Sequence, residues 1–87
     1  MQISDADIKT RAELSDLIFS IKAAIVAGTL RQVSSADRNG PWLDFSQLEP
    51  AGPWPDFIEA EFVDSTGLRF RLEVETYHGA GGSWRKQ

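Results

Sequence analysis

The residues best suited to chemistry are concentrated near the C-terminal end of the sequence, in the segment Glu75-Thr76-Tyr77-His78-Gly79-Ala80-Gly81-Gly82-Ser83-Trp84. This segment contains the single histidine and the single tyrosine of the chain. His78 could act as a general acid or base, because an imidazole changes its protonation state near neutral pH. Glu75 would be its carboxylate partner, and Tyr77 and Trp84 would bound a pocket. One hypothesis is therefore a small enzyme or ligand-binding protein that uses this glycine-rich loop.

The motifs that usually accompany such chemistry are incomplete. A Gly-x-Gly-x-x-Gly pattern that starts at Gly79 would need its last glycine at position 84, where a tryptophan stands. The chain has one histidine and no cysteine, which excludes Cys nucleophiles and Cys-based metal sites and argues against a zinc centre. More simply, the segment is explained as a structural turn, with Trp84 anchoring the strand that follows. We assign no catalytic residue, no metal ligand and no cofactor.

A second candidate site follows from the alternation of apolar and polar residues in two consecutive runs, 57–63 and 68–75. Strict alternation over this length predicts two β-strands. A connecting loop of Ser65-Thr66-Gly67, with its glycine in the left-handed conformation of a G1 bulge, makes the two apolar faces coincide and places Phe62 opposite Phe70. A two-residue loop would shift the strand pairing by one residue and place apolar residues opposite charged ones. The sequence therefore predicts both the hairpin and its register.

The same register places the charged residues of the hairpin on one exposed face. Glu61 lies opposite Arg71, which is a favourable cross-strand pair, whereas Glu59 lies opposite Glu73, which is an unfavourable one. Together with Glu75, these residues form a candidate docking surface for a basic protein partner. Two alternatives stay open. One is a solvated face whose charges compensate one another, and the other is a divalent cation between the two opposed glutamates, although such an ion usually takes more oxygen ligands.

A helix is predicted over about residues 11–27. It follows a capping box, in which the Thr10 hydroxyl accepts from the amide of residue 13 and the Glu13 carboxylate accepts from the amide of Thr10. Gly28 suits the left-handed residue that ends a helix. The apolar residues between these signals fall on one helical face: Leu14, Leu17, Ile18, Ile21 and Ile25.

The rest of the chain gives weaker signals. Residues 4–7 could form a short turn before the helix, residues 34–55 are rich in turn formers, and the glycines within 79–82 fit a wide turn. The sequence predicts an α+β fold in a single domain, residues 1–87. In it, one N-terminal helix packs on one face of a three- to four-stranded antiparallel sheet. The strands are expected at about 30–33, 56–63, 68–77 and 83–86.

Composition narrows the classes of function. The 87 residues carry a net charge of −4, so nucleic acid is a poor partner and a basic protein partner a better one. No apolar stretch is long enough to span a membrane and no signal peptide is visible, so we expect a cytoplasmic protein. The first hypothesis is a small acidic interaction module, for example an inhibitor-like domain for a basic protein. A homodimer, formed through an exposed sheet edge or through Phe57 and Val63, is a further hypothesis.

Overall fold

The computed structural model describes residues 5–35, 44–76 and 81–87, with only the backbone of residues 34 and 35. One α-helix packs on one face of a five-stranded antiparallel sheet, which confirms the α+β fold. The sheet has the strand order β1-β5-β4-β3-β2, with one or two strands more than predicted. Its elements are β1 (Ala6–Ile8), α1 (Arg11–Ala27), β2 (Leu30–Ser35), a short 3-10 helix (Phe45–Gln47), β3 (Phe57–Asp64), β4 (Arg69–Glu75) and β5 (Gly81–Lys86).

Helix α1 begins and ends close to where the sequence predicts. The Glu13 amide donates to the Thr10 hydroxyl at 3.1 Å, as expected of the capping residue. The return bond differs from the prediction, because the Glu13 carboxylate accepts from the amide of Lys9 at 3.2 Å instead of that of Thr10. The chain enters the helix from β1 with Thr10 extended, and this places the Lys9 amide beside the carboxylate. At the other end, Gly28 adopts a φ of 80°, in the left-handed region that closes a helix.

The β3–β4 hairpin has the predicted register. Phe62 lies opposite Phe70, and Ala60 lies opposite Leu72. The three-residue loop ends at Gly67, whose φ of 91° is the left-handed conformation that the G1 bulge requires. The side chain of Asp64 closes this turn, since its Oδ1 accepts from the amides of Thr66 and Leu68 at 2.9 and 3.0 Å.

Two features of the sheet differ from the sequence-based expectation. Residues 6–8 form strand β1 on the outer edge of β5, where a turn had been expected, because Ile8 enters the core opposite Gly82. Gly81 and Gly82 belong to strand β5 and not to a wide turn. A Cβ atom at Gly82 would lie 1.9 Å from the Glu73 carbonyl oxygen, so glycine permits β5 to pack closely against β4.

The core lies between α1 and the inner face of the sheet, which carries the even-numbered residues of β3, β4 and β5. Trp84 is completely buried there. Its ring stacks on Phe70 with centroids 5.2 Å apart and is tilted against Phe62 at 5.4 Å. Phe45, from the 3-10 helix, meets Phe62 edge-on at 5.2 Å and closes one side of the core. The odd-numbered side chains consequently point to the opposite side of the sheet, away from α1.

Candidate functional site

The outer face of the sheet carries nine charged side chains from its five strands, five of them acidic and four basic. They are ordered along the strand direction. Towards the β3–β4 turn lie four arginines and one glutamate, three net positive charges, which we call the basic end: Arg31, Arg69, Arg71, Arg85 and Glu61. Towards the start of β3 lie four carboxylates, which we call the acidic end: Asp7, Glu59, Glu73 and Glu75.

Arg71 stands where the two ends meet and binds three carboxylates with its guanidinium group. Its Nη1 donates to Glu61 Oε1 at 2.9 Å and its Nε donates to Glu73 Oε1 at 2.5 Å. Its Nη2 donates to Glu59 Oε1. Glu61 lies directly opposite Arg71, Glu59 lies diagonally opposite it, and Glu73 lies two residues along the same strand. Each nitrogen of the guanidinium group therefore has its own carboxylate.

This arrangement overturns the expectation that Glu59 and Glu73 form an uncompensated acidic pair. They do lie opposite one another, as the register predicts, but Arg71 bridges them. The space in which a divalent cation had been considered is occupied by a guanidinium group. The side chains of Arg71, Glu59 and Glu61 are only 26–29% exposed, so solvent screens these contacts less than it screens ion pairs on the open surface.

The cluster remains negative after this internal pairing. Three carboxylates share one guanidinium, which leaves two net negative charges. The hydrogen bond from Arg71 to Glu73, followed by the charges of Glu73 and Glu59, raises the pKa of the Arg71 guanidinium above its ordinary value, so that it stays charged. Each carboxylate uses only its Oε1 atom for Arg71, and the Oε2 atoms accept no hydrogen bond from the described residues.

A second ion pair joins the two ends on the neighbouring strands. Arg85 of β5 donates through Nη2 to the Asp7 carboxylate of β1. This pair also links a basic-end residue with an acidic-end residue, as the Arg71 contacts with Glu59 and Glu73 do. The outermost charges are Arg69 and Arg31 at the basic limit of the face and Glu75 at its acidic limit.

An aromatic side chain marks the acidic limit. Phe57 lies directly opposite Glu75 and is 64% exposed. At the basic limit, the half-buried Val63 lies between Arg69 of β4 and Arg31 of β2. Each limit of the face therefore combines charge with an apolar side chain.

The structure brings together most of the residues that the sequence singled out, but not all of them. Glu59, Glu61, Arg71 and Glu73 form one cluster, and Glu75 lies one step further along the same face. Trp84 belongs to the core and has no exposed surface to offer a ligand, because it occupies an inward position of β5.

Two other candidates, Tyr77 and His78, fall in residues 77–80, which lie outside the described part of the chain. The hypothesis of an enzyme or ligand site in that loop therefore stays a sequence-based prediction.

Sequence reasoning missed the contributions of Asp7 and Arg85. Arg85 could have been placed by parity, since it follows the inward Trp84 and must point outward. Asp7 could not have been placed in this way, because a strand of three residues is too short to show an alternating pattern.

Comparison of the chain with protein-family models, with curated proteins and with solved structures found no match. Within residues 5–35, 44–76 and 81–87, no three His, Cys, Asp or Glu side chains are grouped so that they could hold a metal ion. No helix in that part of the chain has the length and apolar character needed to cross a bilayer.

Proposed function

We propose that this protein is a small binding module that docks a basic protein segment at the acidic end of its outer sheet face. The observation that carries the proposal is the Arg71 cluster, in which three carboxylates surround one guanidinium and keep two net negative charges. A lysine or arginine of a partner would find carboxylate oxygens that are already held in place, so little side-chain entropy is lost on binding.

The position of the cluster supports the same conclusion. The face lies opposite the helix, and Glu73 is 56% exposed, so a partner can approach along the strands. Phe57, beside Glu75, adds an apolar and aromatic surface on which the stem or the guanidinium of an arginine can lie. The net charge of −4 steers a basic partner towards the protein at long range.

An inhibitor-like role follows if the docked segment contains the functional residues of the partner. We place this activity in the cytoplasm, since the chain has no cysteine and therefore no disulfide that would mark an oxidising compartment.

The test separates docking at this face from attraction by net charge alone. Affinity for an oligoarginine peptide is measured for the wild type, for the Glu59→Gln/Glu73→Gln variant and for the control Asp16→Asn/Glu49→Gln. The glutamine side chains keep an acceptor for Arg71 while removing two charges from the cluster. Both control residues are exposed and remove the same two charges elsewhere.

We expect the cluster variant to lose about tenfold or more in affinity and the control about twofold or less, because only the first removes contacts with the peptide. Equal losses in the two variants would mean that net charge alone attracts the peptide, and would contradict the proposal. Unchanged affinity in the cluster variant would contradict it as well.

A further inference from the structure

We propose that the outer sheet face also binds a second copy of this chain, turned end for end, to form a weak symmetric dimer. This inference needs no foreign partner and stands apart from the proposed function. It starts from the separation of charge on the face, where the basic end carries three net positive charges and the acidic end four negative ones.

Such a face is complementary to itself in one orientation. A two-fold axis parallel to the sheet plane and perpendicular to the strands, passing over the Ala60–Leu72 pair, reverses the strand direction in the second copy. Arg69 of each copy then faces Glu75 of the other, and Arg71 faces Glu73. A two-fold axis parallel to the strands would instead place acid on acid and base on base, so the charges select the first arrangement.

The apolar side chains at the two limits of the face fit the same arrangement. Reversal places the exposed Phe57 of one copy over Val63 of the other, with Arg69 and Arg31 of the second copy beside the ring. The ring gains both apolar contact and a cation–π partner. Within β3, one pairing opposes the dimer, because Glu59 faces Glu61 of the second copy, but both carboxylates are bound to the Arg71 of their own chain.

The sheet edges are less suited to self-association. Strand β1 has only three residues, and the pairing of β2 with β3 is shifted between Gln32 and Ser34, which is a bulge. Short strands and bulges are the devices by which edge-to-edge pairing is avoided. The face, rather than an edge, is therefore the surface on which a second copy fits.

The size of the face limits the strength of the dimer. Four strands about 4.8 Å apart and about seven residues long give a footprint of roughly 450 Å² in projection. Stable interfaces bury about 800 Å² per partner, so we expect a dimer that forms at high protein concentration and weakens with added salt. A basic partner at the acidic end would displace the second copy, because both use the same carboxylates.

A charge-exchange experiment tests the orientation. Sedimentation equilibrium is measured for the wild type, for Arg69→Glu, for Glu75→Arg and for an equimolar mixture of the two variants. In a dimer of either variant alone, like charges meet at both contacts between position 69 of one copy and position 75 of the other. The dimerisation affinity should therefore fall by at least about tenfold. In the mixture, opposite charges meet again at both contacts, so the heterodimer should form with an affinity close to that of the wild type.

A wild-type protein that stays monomeric at high concentration would overturn the proposal, and so would a mixture that shows no recovery. Backbone amide spectra of the wild type at increasing concentration supply a second test that does not depend on the folding of either variant. The signals of Phe57, Val63, Arg69 and Glu75 should shift while those of α1 stay constant. Shifts confined to α1 would contradict the arrangement.

The two proposals fail separately. If the wild type does not dimerise but binds the peptide as expected, only the self-association proposal is contradicted. If the wild type dimerises but the cluster variant and the control bind the peptide equally well, only the docking proposal is contradicted.

Discussion

Arg71 and Glu59 lie on neighbouring strands but are not directly opposite one another; the guanidinium crosses diagonally to a glutamate whose direct neighbour is another glutamate. This diagonal contact offsets the repulsion between Glu59 and Glu73, so the pair is compatible with a stable sheet. The same guanidinium group also binds Glu61, which brings three carboxylates close together. The mismatched pair is therefore part of a preorganised anionic cluster.

Replacing Arg71 by methionine keeps much of the apolar stem and leaves three carboxylates without a cation. We expect the free energy of unfolding to fall by about 1–2 kcal/mol at low salt, since several partly buried contacts are lost and the carboxylates repel one another. Added salt should reduce the difference. Urea denaturation at low protein concentration measures both effects.

Arg69→Met is the matched control for this change. Arg69 lies on the same strand and forms no ion pair with the described residues. Its replacement should cost clearly less stability than that of Arg71. Equal losses at the two positions would mean that the Arg71 contacts add no stability beyond that of an ordinary surface arginine.

The turn residue Asp64 gives the hairpin a defined dependence on pH. The hydroxyl of Thr66, and then the amides of Leu68, Thr66 and Gly67, lower the pKa of Asp64 below its ordinary value of 3.8. A lowered pKa in the folded state contributes stability that is present above the ordinary pKa and is lost as the pH falls through the folded-state pKa. Asp64→Ala should therefore reduce the melting temperature at neutral pH, and the reduction should shrink below pH 3.8.

Asp56→Ala serves as the comparison, because the exposed Asp56 side chain accepts no hydrogen bond from the described residues. Its effect on the melting temperature should be small at both pH values. An Asp64→Ala difference that stays constant from neutral to acidic pH would contradict the assignment of the turn contacts to the ionised carboxylate.

The close approach of β5 to β4 predicts different effects at two adjacent glycines. A methyl group at Gly82 would meet the Glu73 carbonyl at 1.9 Å and the Val74 Cα at 2.8 Å, whereas a methyl group at Gly81 would meet nothing within 4 Å. Gly82→Ala should lower the free energy of unfolding by about 1–3 kcal/mol or more, as overpacking against backbone does. Gly81→Ala should change it little, and thermal denaturation of the two variants would show whether the effects differ.

The parts of the fold that the sequence predicted well depend on local signals. The hairpin register followed from the alternation of residues and from a single glycine, Gly67, because a turn type and a side-chain period of two leave one consistent pairing. The ends of α1 followed from Thr10 and Gly28 for the same reason. In each case the interacting groups lie within a few residues of one another.

The parts that were missed depend on contacts between distant segments. Strand β1 pairs with β5, where Ile8 enters the core opposite Gly82 and Asp7 meets Arg85, and neither contact is visible in a run of three residues. The bridging role of Arg71 was missed because only directly opposite residues were considered, whereas a long arginine side chain also reaches its diagonal neighbours. Trp84 was considered as a binding residue because an aromatic residue beside glycines resembles a site as much as a core anchor.

The docking function is tested most directly by backbone amide spectra recorded while an oligoarginine peptide is added to the wild-type protein, held at a concentration where it is monomeric. The proposal predicts the largest shifts at residues 57–61 and 71–75, with changes that disappear when salt is added. Shifts centred on α1 or on the basic end of the face would contradict it, and so would spectra that do not change with the peptide.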